Sequence, residues 1–199
     1  RVAIIWAILC GHRRYGVLIG ATTPDANQNI DAIKKALAGN ARLAADFPEA
    51  CFPIAALRQT SQRATGQTCE GVSTGLVFRK DQIVLATLPG SKCSGAIIEV
   101  ASMTGRIRGR NFERPDGKSV RPDLALIDDP QTKKSARSDK QCTDRESTIK
   151  GDVCGLAGPD ETLAVILICT VIRENDVADR FLDNDKNPSW LGRRLKRLT

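Results

Sequence analysis

The stretch Arg121-Pro-Asp-Leu-Ala-Leu-Ile-Asp-Asp-Pro-Gln-Thr132 decides the fold. Its apolar run Leu124–Ile127 is typical of a strand buried on both faces of a parallel sheet, and Pro130 ends that strand. Asp128 and Asp129 follow the run directly. Because ligands of open α/β sheets lie beyond the carboxyl ends of the strands, we expect both carboxylates to line a ligand site. A strand that merely ends in an acidic turn is the simpler alternative.

Four apolar residues followed by two acids have the form of a Walker B element. In that chemistry one carboxylate holds Mg²⁺, usually through water, while its neighbour orients or deprotonates the attacking water. This interpretation gives Asp128 and Asp129 these two roles without deciding which acid has which.

Composition limits the classes of function. The 199 residues, 41% of them hydrophobic, fit one domain with a substantial core, and no apolar run approaches the roughly 18 residues that span a bilayer. We therefore expect no membrane partner, and we interpret the chain as a fragment of a longer cytosolic protein. Seven scattered cysteines without a C-x-x-C pair, and a single histidine, argue against a metal cluster or a disulfide framework. A net charge of +7 favours a polyanionic partner such as nucleic acid.

Helix and strand signals alternate along the chain and predict a single mixed α/β domain over residues 1–199. In order, we expect the end of a buried helix (2–10) before Gly11, a strand (15–19), a threonine-capped helix ending at 39–40, a short helix broken at Pro48 and Pro53, a loop (65–74), a hairpin (76–85), a strand (96–101), a hairpin turn at 115–117, the strand before Asp128, a polar helix (134–152), a second central strand (163–170) and a helix from 175.

Several stretches, in this order, resemble the ATPase domain of tailed-phage terminase large subunits. They are Gly11–Ala21, Leu88–Ile98, Gly105–Gly109, Arg121–Thr132, Leu156–Pro159 and Cys169–Ile172. The resemblance spans residues 2–190. It implies a mainly parallel central sheet flanked by helices, an ASCE P-loop NTPase (RecA-like) core and a β-hairpin insertion.

The same resemblance implies a motor that uses ATP and Mg²⁺ to push double-stranded DNA into an empty capsid. Such a motor assembles as a ring of identical subunits on the portal protein, with the small terminase subunit as a further partner, in the cytoplasm of the bacterial host. The family's large subunit also carries a C-terminal nuclease.

Roles follow for individual residues. Asp128 matches the Mg²⁺-coordinating Walker B aspartate, and Asp129 occupies the position of the catalytic carboxylate, which is commonly glutamate. Arg108 matches a trans-acting arginine finger, with Arg106 as second choice. Thr170 matches the coupling residue that senses the γ-phosphate.

The basic loop around these arginines has two interpretations. Arg106, Arg110 and Arg114 either contact DNA phosphates or belong to a solvated basic surface. The tail Arg193–Arg197 has the same two interpretations, and there we favour the solvated surface.

Two departures from the family pattern matter. A Walker A loop is expected immediately before the helix that ends at Gly11, and the sequence has no such glycine-rich lysine loop. Ser91 and Lys92 have the wrong spacing to replace it. We also expect these 199 residues not to include the family's C-terminal nuclease. We therefore expect an N-terminally truncated ATPase domain that binds ATP poorly and does not hydrolyse it alone.

Truncation also predicts an uncovered sheet edge, with Val17, Ile19 and the 163–168 run exposed or paired with another chain. Two alternatives to the terminase interpretation stay open. One is another ASCE translocase or a superfamily-2-like helicase, and the other is a non-enzymatic DNA-binding or scaffold protein that keeps the α/β core.

Overall fold

The computed structural model describes residues 1–114 and 117–195. In chain order its elements are α1 (Val2–Leu9), β1 (Tyr15–Gly20), α2 (Thr23–Gly39), α3 (Ala41–Asp46), α4 (Pro48–Ala56), β2 (Thr68–Cys69), β3 (Val72–Ser73), β4 (Val77–Phe78), β5 (Gln82–Val84), β6 (Ile97–Ser102), β7 (Phe112–Glu113), β8 (Ser119–Val120), β9 (Leu124–Asp128), α5 (Lys133–Ala136), α6 (Asp139–Thr148), β10 (Ala164–Ile168) and α7 (Val177–Phe181). A 3₁₀ turn covers Ser61–Ala64, and a π-helical turn covers Ile149–Val153.

Six strands form the central sheet in the order β10-β9-β1-β6-β5-β4. The first four are mutually parallel, whereas β5 and β4 run antiparallel to their neighbours. In this register Gly20 lies between Ser102 and Asp128, and Asp128 lies beside Ile168. The expected α/β class with a mainly parallel sheet is confirmed, and the carboxyl ends of four strands meet at one edge.

Helices cover both faces of the sheet. α1, α2 and α4 pack with Leu18 and Leu126 in one buried cluster. α6, the π-helical turn and α7 pack with Val17 and Ile127 in another. The strands β1 and β9 are apolar without alternation because each of their faces meets one of these clusters.

α2 begins as expected and carries its apolar face inward. The Thr22 side chain accepts the Asp25 N–H, and the Asp25 carboxylate accepts the Thr22 N–H, which together form a capping box. The predicted inward face is buried, and it comprises Ala26, Ile30, Ile33 and Leu37. A side chain at Gly20 would come within 3.1 Å of the Ala26 nitrogen. The helix therefore starts close against the carboxyl end of β1.

The 163–170 run is not a central strand. β10 lies at the edge of the sheet, with Ile166 and Ile168 42% and 50% exposed. An apolar run predicts burial but carries no information about strand order. The expected uncovered edge is thus found here, whereas Val17 and Ile19 are fully buried.

Smaller differences concern helix ends and hairpins. Pro53 lies inside α4 and does not end it, while the polar helix is divided into α5, α6 and the π-helical turn. The loop at 65–74 contains the short hairpin β2–β3. β7 and β8 pair as the second hairpin, although its turn residues Pro115 and Asp116 lie outside the described residues. Within the described ranges, no helix has the length and apolar character needed to cross a bilayer.

Asp123 joins the start of β9 to the start of β1. Its carboxylate oxygens accept the N–H groups of Arg14 and Tyr15, each at 2.8 Å. We expect Asp123→Ala to lower the free energy of unfolding by about 2 kcal/mol, because two backbone donors lose a charged acceptor. Urea unfolding measures this loss. Asp160→Ala, at an exposed acid, is the control, and an equal loss in both variants would show that Asp123 has no such role.

Candidate functional site

Asp128 and Asp129 lie together at the carboxyl edge of the sheet. Asp128 is the last residue of β9 and is half-buried, whereas Asp129 is exposed. Asp129 has a φ of 45°, a left-handed conformation that aspartate tolerates better than most residues. Its N–H donates to the Ile168 carbonyl oxygen at 2.9 Å. The chain therefore turns away from the sheet at Asp129 and presents the second carboxylate to solvent.

The structure brings Thr170, the residue that matches the family's coupling position, next to this acid pair. Thr170 follows β10, and its N–H donates to Asp129 Oδ1 at 3.3 Å. The two residues are 41 positions apart and meet because β9 and β10 are neighbours. A hydrogen bond thus links the proposed catalytic acid to the proposed coupling residue.

Asn29 is a further member of the site that the sequence reasoning missed. It lies on α2, is only 7% exposed, and its Nδ2 donates to Asp128 Oδ2 at 3.4 Å. The signal was a polar residue at helical spacing from Ala26 and Ile33, on the apolar face of α2. A buried amide at such a position requires a partner, and Asp128 supplies it.

Three hydroxyl groups extend the same edge beyond Gly20. The buried Ser102 ends β6, and its Oγ lies 3.2 Å from Thr23 Oγ1 and 3.3 Å from Thr104 Oγ1. Because Gly20 pairs with both Ser102 and Asp128, these hydroxyls continue the polar edge across β1. Sequence reasoning did not identify them.

The donor set fits only part of a metal nucleotide. Carboxylate, amide and hydroxyl oxygens are ligands that suit a hydrated Mg²⁺. The described residues, however, contain no group of three or more His, Cys, Asp and Glu side chains that could share one metal ion. The sequence also lacks the lysine loop that would hold phosphates. The acid pair therefore lies at this edge without a lysine loop beside it to hold phosphates.

A cavity lined by α7 and its neighbours lies away from the acid pair. It has a volume of about 410 Å³ and a mixed-charge lining from α7 and the residues after it, including Asp179, Arg180 and Lys186. A smaller groove of about 180 Å³ lies between the end of α2, α3 and α4. None of the predicted site residues lines either cavity.

Arg108, the predicted finger, pairs with Asp152 in the π-helical turn. The side chains of the pair are 65% and 36% exposed. A pair this exposed contributes at most about 1 kcal/mol, so the guanidinium is held loosely. A finger that acts on a neighbouring subunit needs no contact with the acid pair of its own chain.

Arg110 occupies a different environment from the one expected for a DNA contact. Its guanidinium pairs with Glu99, and the two side chains are 16% and 14% exposed. Glu99 also accepts the Tyr15 hydroxyl, and Arg110 Nη2 donates to the Arg106 carbonyl oxygen at 3.1 Å. Burial, reinforced by Glu99, raises the pKa of the Tyr15 phenol. These contacts hold the basic loop against the sheet, so Arg110 has a structural role in this cluster.

The other predicted DNA contacts lie at the surface. Arg106 is exposed, and Arg114 is half-buried beside β7. Of the basic tail, Arg193 and Arg194 are exposed, and Arg194 pairs with Asp179. The rest of the tail, from residue 196, lies outside the described residues.

The pKa of the Cys169 thiol depends in part on the charge of Asp129. Burial, with smaller contributions from Asp129 and Asp176, raises the pKa of the Cys169 thiol to about 11. Alkylation requires the thiolate, so we expect slow iodoacetamide labelling at pH 8 and a rate that rises about tenfold per pH unit up to that pKa.

Asp129→Asn removes a negative charge and should lower that pKa, which speeds labelling of Cys169 at pH 8. Peptide mass spectrometry measures the rate at this one cysteine, with Asp160→Asn as the control. Labelling at the same rate in both variants would place Asp129 too far away to act on the thiol.

The site rests on this geometry alone. No protein-family model matches the chain, and no curated protein or solved structure is significantly similar to it.

Proposed function

We propose that this chain is the metal-binding and water-binding side of a DNA-packaging ATPase of the terminase large-subunit type, built on a RecA-like ASCE core. The observation that carries the proposal is the link between two neighbouring parallel strands at their carboxyl ends. Asp129 after β9 accepts the N–H of Thr170 after β10 at 3.3 Å. An acidic turn without function does not require that link.

Each residue of the site has a separate task in this proposal. Asp128 would hold the hydrated metal, and Asn29 would fix the orientation of the Asp128 carboxylate through the 3.4 Å contact. Asp129 orients the attacking water and takes its proton. Bound Mg²⁺ would neutralise charge that develops on the transferred phosphoryl group. The aspartate at 129 is one methylene shorter than glutamate, so the water sits closer to the backbone of the turn.

The link to Thr170 supplies a route from chemistry to movement. Thr170 donates to Asp129 Oδ1, so a change in the partners of Asp129 would alter this hydrogen bond. The segment after β10 would then lose a contact that fixes its position. That segment continues through Asp176, a fully buried carboxylate that accepts the N–H groups of Ile172 and Arg173 and caps α7. Displacement at Thr170 would thus reach α7.

The net charge of the chain supports the proposed DNA partner. The chain carries +7, and Arg106 and Arg114 lie near the surface of the loop and hairpin between β6 and β9. Arginine contacts to phosphates bind without reading sequence, which suits a motor that moves any duplex. A subunit ring, a portal protein, a small terminase subunit and the host cytoplasm belong to the same proposal.

In the proposed parent protein a segment in front of Arg1 supplies the Walker A loop, and a chain extended by that segment tests the proposal. The 199-residue chain should release no phosphate from ATP above background, because it has no phosphate cradle. The extended chain should hydrolyse ATP only with Mg²⁺ present. Mg²⁺-dependent hydrolysis by the 199-residue chain itself would refute the assignment of a half site.

A non-enzymatic DNA-binding protein is the second candidate, favoured by the net charge and the missing lysine loop. It predicts salt-dependent duplex binding by the extended chain with no hydrolysis. The two candidates therefore give opposite results in the same phosphate-release assay.

A further inference from the structure

We propose that a surface at the amino edge of the sheet binds single-stranded nucleic acid, through stacking of an unpaired base and through phosphate contacts. This surface, called the Trp6 surface below, consists of Trp6, His12, Arg13, Arg14 and Lys92. The inference goes beyond the proposed ATPase activity, because the surface lies at the opposite edge of the sheet from the acid pair and binds its ligand without ATP.

Two aromatic rings form the centre of the Trp6 surface. Ile4 and Ile8 are fully buried and fix α1 against the sheet, whereas Trp6 on the same helix is 58% exposed. The exposed His12 ring lies 4.6 Å from the Trp6 ring, centroid to centroid, at an interplanar angle of 43°. Aromatic side chains held on a rigid support are the platforms on which unpaired bases stack.

The turn after α1 places the cations beside these rings. The N–H groups of His12 and Arg13 both donate to the Ala7 carbonyl oxygen, at 2.9 and 3.1 Å, so the turn is fixed to the end of the helix. Gly11 has a φ of 74°, and a side chain there would come within 3.0 Å of Lys92. The loop that carries Lys92 therefore packs directly against this turn.

Arg14 joins the same turn to that loop from the other side. Its Nη1 donates to the carbonyl oxygens of Lys92 and Ser94, each at 3.3 Å. The Arg14 carbonyl oxygen accepts the Ile97 N–H at 2.8 Å, at the start of β6. The Trp6 surface thus rests on the amino ends of two central strands and is held by hydrogen bonds on both sides.

The cations of this surface have no carboxylate partners. In residues 1–114 and 117–195, none of Arg13, Arg14 and Lys92 forms an ion pair. Asp123 lies at the same edge, but its carboxylate accepts the N–H groups of Arg14 and Tyr15. Positive charge without a partner favours a polyanion, because phosphates bound there release their counterions.

The combination of rings and cations fits an unpaired strand better than other polyanions. The bases of a duplex stack on one another, whereas those of a single strand are free to stack on a protein ring. A lipid surface fits poorly, because a helix that lies on a membrane buries its apolar face in the lipid. The apolar side of α1 is already in the core and leaves Val2 and Trp6 as its exposed large hydrophobic residues.

Binding of dye-labelled oligothymidylate of about 12 nucleotides, followed by fluorescence anisotropy, tests the stacking. Trp6→Leu should weaken this binding by about 10-fold, while Trp6→Phe keeps a ring and should retain most of the affinity. Phe52→Leu, at another exposed aromatic residue, is the matched control and should change nothing. Because Trp6 is largely exposed, we expect each variant to keep the urea midpoint of the unchanged chain.

Two results would overturn the stacking. One is oligothymidylate binding by Trp6→Leu that is as tight as that of the unchanged chain. The other is an equal loss of affinity for oligothymidylate and for a duplex of the same length, because a stacking platform acts on unpaired bases alone.

The salt dependence of the same binding tests the phosphate contacts. Arg13→Gln combined with Lys92→Gln should reduce the slope of log affinity against log salt concentration by about 1.4, because two contacts to a single strand are lost. Lys35→Gln combined with Arg42→Gln, at two exposed cations of α2 and α3, is the matched control. An unchanged slope in the first variant would contradict the proposed contacts.

Phosphatidylglycerol vesicles provide the test against a membrane partner. Vesicle binding that requires Trp6, without oligothymidylate binding, would overturn the proposal and assign the surface to lipid. These measurements use the 199-residue chain and no ATP. A failed Trp6 surface and a failed ATPase assignment therefore remain distinguishable.

Discussion

Arg110→Ala is expected to lower the free energy of unfolding by about 3 kcal/mol or more, because it leaves the mostly buried charge of Glu99 without its cationic partner. The Tyr15 hydroxyl still donates to Glu99 but cannot neutralise it. Urea unfolding at pH 7 measures the loss. Arg114→Ala, in the adjoining hairpin, should cost less than about 1 kcal/mol.

The paired replacement separates structure from DNA contact. Arg110→Met combined with Glu99→Leu removes both charges and keeps apolar volume, so it should recover much of the stability lost in Arg110→Ala. It should also leave the salt dependence of duplex binding unchanged, whereas Arg106→Ala should reduce that dependence. If Arg110→Ala destabilises no more than Arg114→Ala and weakens DNA binding, the guanidinium contacts DNA and its pairing with Glu99 is unimportant.

Replacing Asp128 and replacing Asp129 in the extended chain should have different effects on ATP binding and hydrolysis. Asp129→Ala should lower the rate of ATP hydrolysis by about 100-fold or more, because the attacking water loses its general base. It should leave nucleotide affinity nearly unchanged. Asp128→Ala should lower the affinity for Mg²⁺-ATP, since it removes a ligand of the metal. Equilibrium binding of a fluorescent ATP analogue and phosphate release measure the two effects, with Asp160→Ala as the control.

Replacing Asn29 tests separately whether Asp128 binds the metal. Asn29→Leu removes the amide that contacts Asp128 at 3.4 Å and should shift the Mg²⁺ concentration needed for half-maximal hydrolysis upward. Asn29→Asp keeps the shape but adds a like charge, so it should shift that concentration as well. An unchanged Mg²⁺ dependence in both variants would limit Asn29 to packing.

Local patterns predicted the elements that carry the site. Four apolar residues before Asp128 were sufficient to predict β9, and a threonine before Pro24 with apolar residues at helical spacing predicted α2. These features depend on neighbours in sequence, which is why periodicity and capping reveal them. The family resemblance drew attention to Thr170 as a coupling residue, but its hydrogen bond to Asp129 was not predicted.

Such local patterns could not predict the contacts that form across the sheet. Asn29 meets Asp128 across 99 residues, and only the register of β1 against β9 brings the first half of α2 to that acid. Arg110 looked like one of several loop arginines, although a glutamate inside the apolar 96–101 run already required a buried partner. The edge position of β10 could likewise not be predicted, because the amino-acid composition of a strand does not determine its place in the sheet.

Phosphate release by the extended chain, measured with and without linear double-stranded DNA, tests the central claim most directly. The proposed function predicts Mg²⁺-dependent hydrolysis that DNA accelerates and that Asp129→Ala reduces by about 100-fold or more, while Asp160→Ala has no effect. Hydrolysis by the extended chain no faster than that of its Asp129→Ala variant would contradict the claim and leave a DNA-binding protein without ATPase activity.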